Sequence, residues 1–220
     1  MIKYIQGDIH EVIKTLEDNS IDFIYTDPPF GTTKCKWDKP LQWGELFKEM
    51  WRVLKPTGII CLYASMPFTY ELLKYETPRY HYNWKKNTKT GFLQAKKQPL
   101  RQMEEIFIYY KKVGTYNPQM EGDTYYPKRA VKIGTEINKY WGVRQNIKID
   151  LQGKKSYLVE GEGHTGLYPT TFREWNTRKD NSGITRTDDQ IDYFIKTYSN
   201  EGDTILDMTN CNEYVGDRCK

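Results

Sequence analysis

Apolar residues along the chain recur with two periods. Val12, Ile13 and Leu16 fall on one face of a short helix within residues 10–16. The run Ile21-Asp22-Phe23-Ile24-Tyr25-Thr26 is rich in β-branched and aromatic residues and stops at Asp27-Pro28-Pro29-Phe30-Gly31. Two successive prolines cannot continue a hydrogen-bonded ladder, so the chain must leave the sheet there. Leu46, Phe47, Met50, Trp51 and Leu54 follow helical spacing up to Lys55-Pro56-Thr57-Gly58. Residues 59–64 then form an almost unbroken apolar run, the pattern of a strand buried on both faces of a parallel sheet. Further segments predict a helix over 68–75, a strand over 106–110, a helix over 188–198 and a strand over 204–207. Residues 2–5 also read as a short strand. This alternation predicts an open α/β sheet. Between Gly114 and Asn181 the periodicity fades, and so long an irregular stretch inside a domain is usually functional or unstructured.

Composition narrows the class. At 220 residues the chain can hold one α/β domain with a modest insertion. Its 18 tyrosines predict a core built from large rings rather than many aliphatics. No apolar run approaches the roughly 18–20 residues that span a bilayer, so no membrane association is expected. Met1-Ile2-Lys3-Tyr4 lacks the pattern of a secretory signal, and the four cysteines are scattered with no Cys-x-x-Cys pair. The expected setting is therefore reducing and cytoplasmic. His10, His81 and His164 are far apart without ligand spacing, and no metal site is expected.

Charge is uneven. Residues 85–112 carry 8 basic and 2 acidic side chains, whereas residues 182–220 carry 4 and 8. Lys85, Lys86, Lys89, Lys96, Lys97 and Arg101 are interleaved with Trp84, Phe92, Gln94 and Gln98, a mixture suited to phosphate contacts plus stacking. A solvated lysine-rich surface is the plainer account of the same residues.

The strongest local signal is Asp27-Pro28-Pro29-Phe30. Ligands of open parallel sheets bind beyond the carboxyl ends of strands, which is where this tetrapeptide falls. The prolines stiffen the backbone, so a carboxylate and an aromatic face are presented together. A planar base stacked on Phe30 could donate its exocyclic amine hydrogens to Asp27 and to the Pro28 carbonyl. That amine is a poor nucleophile because its lone pair is delocalised into the ring. Accepting its hydrogens frees the lone pair to attack a methyl sulfonium, mostly through positioning and dipole placement. On this reading Asp27 contacts only the base, and the reading fails if Asp27 is buried against a lysine or Phe30 is packed inside the protein with no hollow beside it.

With its context, the motif resembles the amino-methylating DNA methyltransferases, most closely the phage and mobile-element adenine-N6 branch. There the catalytic motif precedes the cofactor glycine loop. The resemblance runs from Gly7-Asp8 and residues 21–38 through Leu54-Lys55-Pro56-Thr57-Gly58, residues 90–101, Glu104 and residues 116–120. It resumes at 166–170 and 195–207. It implies a Rossmann-like S-adenosylmethionine-dependent methyltransferase sheet: residues 1–112 the catalytic core, 113–181 a target-recognition insertion, and 182–220 the return to the core. Asp27, Pro28, Pro29 and Phe30 would hold an adenine flipped from double-stranded DNA. Asp8, Asp27, Asp207, Thr209 and Gly216 would bind the cofactor, and Lys85, Lys89, Lys96, Lys97 and Arg101 would face the DNA. Cytosine-N4 methylation rests on the same amine chemistry and is the alternative target. The resemblance also admits a homodimer or a partner chain that completes the site, and suits a restriction-modification role.

Two segments depart from the family. Relatives carry Asp-x-Thr-x-Gly-Ser-Gly-x-x-Gly after the last of these strands, where this chain has Asp207-Met208-Thr209-Asn210-Cys211-Asn212-Glu213-Tyr214-Val215-Gly216. Cys211 and Glu213 thus replace glycines that let backbone approach a ligand. Their His-Pro-x-Gln-Lys-Pro segment falls on Ser182-Gly183-Ile184-Thr185-Arg186-Thr187, which keeps only the basic residue. Relatives continue into a further strand whose acidic end holds the cofactor ribose, whereas this sequence stops at Lys220. These changes raise the alternative of a DNA-binding or partner subunit with weakened cofactor binding.

Overall fold

The computed structural model describes residues 2–126, 148–149, 155–156, 163–177, 186–209 and 214–219. In chain order its main elements are α1 (Ile9–Val12), β1 (Ile21–Thr26), α2 (Trp43–Val53), β2 (Leu54–Ala64), α3 (Phe68–Leu73), β3 (Tyr80–Thr90), β4 (Arg101–Tyr109) and β5 (Glu121–Tyr126). They continue with β6 (Lys148–Ile149), β7 (Lys155–Ser156), β8 (His164–Leu167), β9 (Phe172–Trp175), α4 (Asp188–Tyr198), β10 (Ile205–Asp207) and α5 (Tyr214–Arg218). Two compact units emerge: Met1–Gln119 with Thr170–Lys220, and Met120–Pro169.

The larger unit is built on a six-stranded sheet of order β10-β1-β2-β4-β3-β9. β1 pairs in parallel with both β10 and β2, while β4 runs antiparallel to β2 and β3. From Phe23 onward, alternation sends side chains to both faces. Ile21, Ile24, Ile60, Leu62, Phe107 and Tyr109 join α2 in one core. Phe23, Tyr25, Cys61, Tyr63, Ile106 and Ile108 join α4 in the other. The sheet is therefore covered on both sides, which explains why its central strands read as continuous apolar runs. The second core is held largely by rings, as the tyrosine content predicts. Tyr82 Oη lies 2.7 Å from Tyr198 Oη, and Tyr25 Oη donates to Tyr63 Oη at 3.1 Å.

Several elements differ from the sequence expectation. Residues 2–5 form no strand. β2 begins at Leu54, before Pro56, because its register against β1 breaks between Ile21 and Phe23; the proline sits in that break and costs no ladder bond. β3 was not expected, although its buried positions Tyr82, Trp84 and Lys86 alternate with less buried ones. β9 lies within the stretch that lacks periodicity and joins the main sheet by parallel pairing with β3. The second unit contains two antiparallel pairs, β5 with β8 and β6 with β7. It is narrower than the 113–181 stretch singled out in the sequence. No helix among the described residues is long and apolar enough to cross a membrane.

Candidate active site

The connection from β1 to β2 passes through α2 on one face of the sheet, and α4 leads into β10 on the other. Between β1 and β10 the chain therefore switches face, and in such sheets a ligand crevice opens beyond the strand ends. β10 ends there in Asp207, and Asp27 directly follows β1. Tyr25 is the register partner of Asp207, and Asp27 lies two residues beyond Tyr25. The Asp27 N–H donates to Thr209 Oγ1 at 3.0 Å, and the same oxygen lies 3.3 Å from Thr26 Oγ1. Thr209, expected as a cofactor residue, thus braces the backbone of the Asp27 motif.

Asp27 does not stand alone, which corrects the expectation that it contacts only a base. Its Oδ1 accepts from Arg186 Nη2 at 2.5 Å. Arg186 Nη1 donates to Glu104 Oε2 at 2.6 Å, and Lys86 Nζ donates to Glu104 Oε1 at 2.7 Å. The guanidinium carbon sits 4.2 Å from the Tyr63 ring centroid and 4.8 Å from that of Trp84, in cation–π range. Two acids and two bases thus neutralise one another. Burial raises Asp27 above the usual aspartate range and Glu104 adds to this, while Arg186 pulls the other way. Burial acts to raise Glu104 as well, but Arg186 and Lys86 outweigh it and hold that carboxyl below its ordinary range. The cation on Asp27 is an arginine with a second acidic anchor, not a lysine. Among the described residues, Asp27 Oδ2 has no hydrogen-bond partner, and the side chain keeps 23% of its exposure.

Phe30 is half-buried. One face stacks on Phe68, with centroids 5.2 Å apart and planes 18° from parallel. Beyond it the chain turns through Gly31 at φ +66°, where a Cβ would meet Pro40 at 3.0 Å. Asp38 fixes this turn by accepting from the N–H groups of Gly31 and Thr33, each at 2.6 Å. Burial would raise Asp38, but these donors and the Thr33 hydroxyl hold it below its ordinary range. The structure therefore supplies a rigid bracket around Pro28 and Pro29.

The remaining candidates are spread more widely. Asp207 Oδ1 accepts from the Thr209 N–H at 3.1 Å. Burial, opposed by that bond and reinforced by Asp27, pushes its carboxyl up to about 6. Asp8 caps α1, accepting from the His10 N–H at 2.8 Å. Gly216 lies in α5 against the N-terminal segment, where a Cβ would come 3.0 Å from Tyr4 Oη. The replaced glycine positions Cys211 and Glu213 lie outside the described residues, as do 182–185. Among the described residues no cluster of His, Cys, Asp or Glu is placed to hold a metal ion.

Of the cations, Lys86 is a correction. It is 9% exposed and bound to Glu104, so it belongs to the buried cluster rather than to a surface. Lys85 is partly exposed and paired with Glu174 at 2.7 Å. Lys89, Lys96 and Lys97 are exposed around the β3–β4 connection, together with Phe92 and the fully exposed Leu93. Arg101 donates to the Met66 carbonyl at 3.2 Å and is itself exposed. Sequence reading missed Arg186, Glu104 and Asp38 as site-builders. For Arg186 the signal was its place as the one retained basic residue of a changed segment.

A DNA methylase family profile matches residues 21–209, which carry the sheet edge, the Asp27 motif and Asp207. The chain belongs to the N6/N4 DNA methylase family. It is 27% identical over 218 residues to the type II methyltransferase M.BamHI of Bacillus amyloliquefaciens, covering 93% of this chain and 48% of that protein. It is 36% identical over 86 residues to the type II methyltransferase M.HpaI of Haemophilus parainfluenzae, covering 34% and 27%. The methylase chain thus spans about half, or less, of the length of these relatives. Among solved structures it resembles the PvuII DNA methyltransferase, titled cytosine-N4-specific, with TM-score 0.58, 13% identity and coverage of 96% and 75%. It also resembles the M1.HpyAVI–SAM complex with TM-score 0.54, 15% identity and coverage of 100% and 86%. These likenesses give the methylase sheet its fold, the Rossmann-like α/β architecture of DNA methyltransferases.

Proposed function

We propose that the chain transfers a methyl group from S-adenosylmethionine to the N6 amine of an adenine flipped out of duplex DNA, in the cytoplasm. The observation that carries this reading is the mostly buried Asp27 carboxylate at the β1–β10 switch, with Oδ1 secured and Oδ2 without a partner among the described residues. An amine hydrogen donated to Oδ2, and a second to the Pro28 carbonyl, would draw the nitrogen lone pair out of the ring. Phe30, backed by Phe68 and packed against both apolar cores, would present its exposed part to the base. No strong general base is needed, since the methylated amine is acidic and loses its proton afterwards. Excluding water and fixing these acceptors would supply most of the acceleration.

The donor set fits the cofactor at one point in particular. Asp207 is a half-buried carboxyl with no cation beside it among the described residues, raised to about 6 by burial, and it suits the ammonium or hydroxyl groups of such a ligand. Asp8, Asp27, Thr209 and Gly216 complete the proposed cofactor set, Thr209 acting through the Asp27 backbone. When bound, S-adenosylmethionine supplies an electrophilic methyl on a sulfonium. Lys85, Lys89, Lys96, Lys97 and Arg101 would contact phosphates, and residues within 113–181 would read the target sequence. Nuclease digestion and mass analysis of DNA treated with the chain and cofactor test the reading. N6-methyladenine supports it, N4-methylcytosine moves the target to the alternative base, and DNA binding without measurable cofactor affinity would assign a non-catalytic subunit instead.

A further inference from the structure

The Asp27–Arg186–Glu104–Lys86 cluster is costly to build. Burying two acids and two bases seldom stabilises a fold relative to apolar side chains of like volume. Arg186 Nε adds a buried N–H without a hydrogen-bond partner among the described residues. The cluster reaches from the site aspartate across Tyr63 and Trp84 of the second core to Glu104 of β4 and Lys86 of β3. Its geometry has one consequence for Asp27: of two carboxylate oxygens, one is fixed and one is left.

We infer that Arg186 is a positioning residue, which holds Oδ1 of Asp27 from one nitrogen and Glu104 from another and so aims Oδ2 at the amine of the extruded base. This rests on the function proposed above. A guanidinium suits the task because its planar fork reaches two carboxylates at once, with Tyr63 and Trp84 against it. A lysine would offer a single point charge. Glu104, itself anchored by Lys86, keeps Arg186 from rotating away with Asp27. The bridge also opposes the burial that raises Asp27 above the usual aspartate range. The groups that bear on Asp27 are Arg186 and Glu104 within the cluster, Asp207 at the end of β10, and the buried Tyr25 and Cys61 of β1 and β2.

The test uses the full chain and its Arg186→Met, Arg186→Lys and Glu104→Gln variants. Asp27 titration is followed by carbon-13 NMR of labelled aspartate, assigned by the signal that Asp27→Asn removes. Single-turnover methyl transfer and duplex affinity are measured alongside, with thermal unfolding as a control on folding. In Arg186→Met, Asp27 titrates at least about one pH unit higher, and the acid limb of the transfer rate moves the same way. The rate falls on the order of a hundredfold while duplex affinity stays within about threefold. Arg186→Lys restores part of the titration shift but little of the rate, and Glu104→Gln lowers kcat more than it changes KM. An unchanged Asp27 titration in a folded Arg186→Met, or a wild-type rate in it, overturns the inference. Should Asp27 shift as stated while the unaltered chain transfers no methyl group, the Arg186 link stands and the proposed activity falls.

Discussion

The loops after β1 and β10 leave the same edge of the sheet side by side, and they are held in opposite ways. After β1, Asp27 is tied to Arg186 through its side chain and to Thr209 through its backbone, and Asp38 binds the turn beyond. After β10, Asp207 has one backbone donor and no cation among the described residues, and its carboxyl is raised to about 6. Two aspartates that feel each other's charge thus occupy different electrostatic settings. A carboxylate that must accept hydrogens from a neutral amine gains from a fixed cation on its far oxygen. A carboxylate left without one is the natural receptor for a ligand that brings its own positive charge or hydroxyls.

The largest effect expected from breaking this contrast is at Asp27. Asp27→Ala should remove methyl transfer to below a thousandth of the wild-type rate, with duplex affinity changed by no more than a few fold. It also leaves Arg186 short of one acid, and losing one partner of a buried pair costs roughly 3–5 kcal/mol. Chemical denaturation beside the transfer assay checks both parts; transfer near the wild-type rate would remove Asp27 from the chemistry.

Asp207→Asn should act in the other direction. Its folded carboxyl titrates near 6, above the unfolded value of about 3.9. A raised value means the protonated form is favoured in the fold, so the stability it lends is full below about pH 3.9 and is lost as pH rises through about 6. At pH 7 the ionised, buried Asp207 therefore weakens the fold by up to about 3 kcal/mol, and Asp207→Asn should recover much of that. At pH 4 wild type and variant should differ little. Equal gains at both pH values would mean that the burial of Asp207 is not the cause. Cofactor affinity, measured by calorimetry, should fall in the same variant.

How much of this could be read from the residues differs between the two loops. Asp27-Pro28-Pro29-Phe30 announces itself locally, because two prolines after a β run dictate an exit from the sheet and restrict the backbone on both sides of them. The strand β1, the apolar ends of β2 and β4 at 59–64 and 106–109, and the helices α2 and α4 are legible for a related reason: each is amphipathic or apolar over that length, whereas the polar first halves of β2 and β4 gave no such signal. β3 escaped because its alternation is carried by tyrosine, tryptophan and a buried lysine, residues that look like surface in isolation. Arg186 escaped for a deeper reason. Its partners Asp27 and Glu104 lie 159 and 82 residues away in the chain, and only the folded sheet brings the three together. Asp38 is local, yet nothing in its spacing says that its carboxylate turns back onto Gly31 and Thr33.

A smaller effect sharpens the contrast within the β1 loop. Asp38→Asn keeps one acceptor for the Gly31 and Thr33 N–H groups but loses the charge, and should cost about 1–3 kcal/mol. Because Asp38 is held below its ordinary value, the stability it lends is present above about pH 3.9 and is lost as pH falls through its folded value. The wild type should therefore converge on Asp38→Asn in acid, as monitored by thermal unfolding across pH. The smallest effect on the fold is expected at the β3–β4 connection. Lys96→Ala with Lys97→Ala should leave unfolding unchanged and reduce the salt slope of DNA binding by up to about two units. An unchanged slope would place both lysines off the DNA.

The proposed division of labour between the two aspartates is tested most directly by one assay. Labelled S-adenosylmethionine and unmethylated duplex DNA are incubated with the chain, and the digested nucleosides are separated by mass. The account predicts label in N6-methyladenine, absent when Asp27→Ala replaces the wild type. Duplex that is bound yet carries no label, or label that persists without the Asp27 carboxylate, would contradict it.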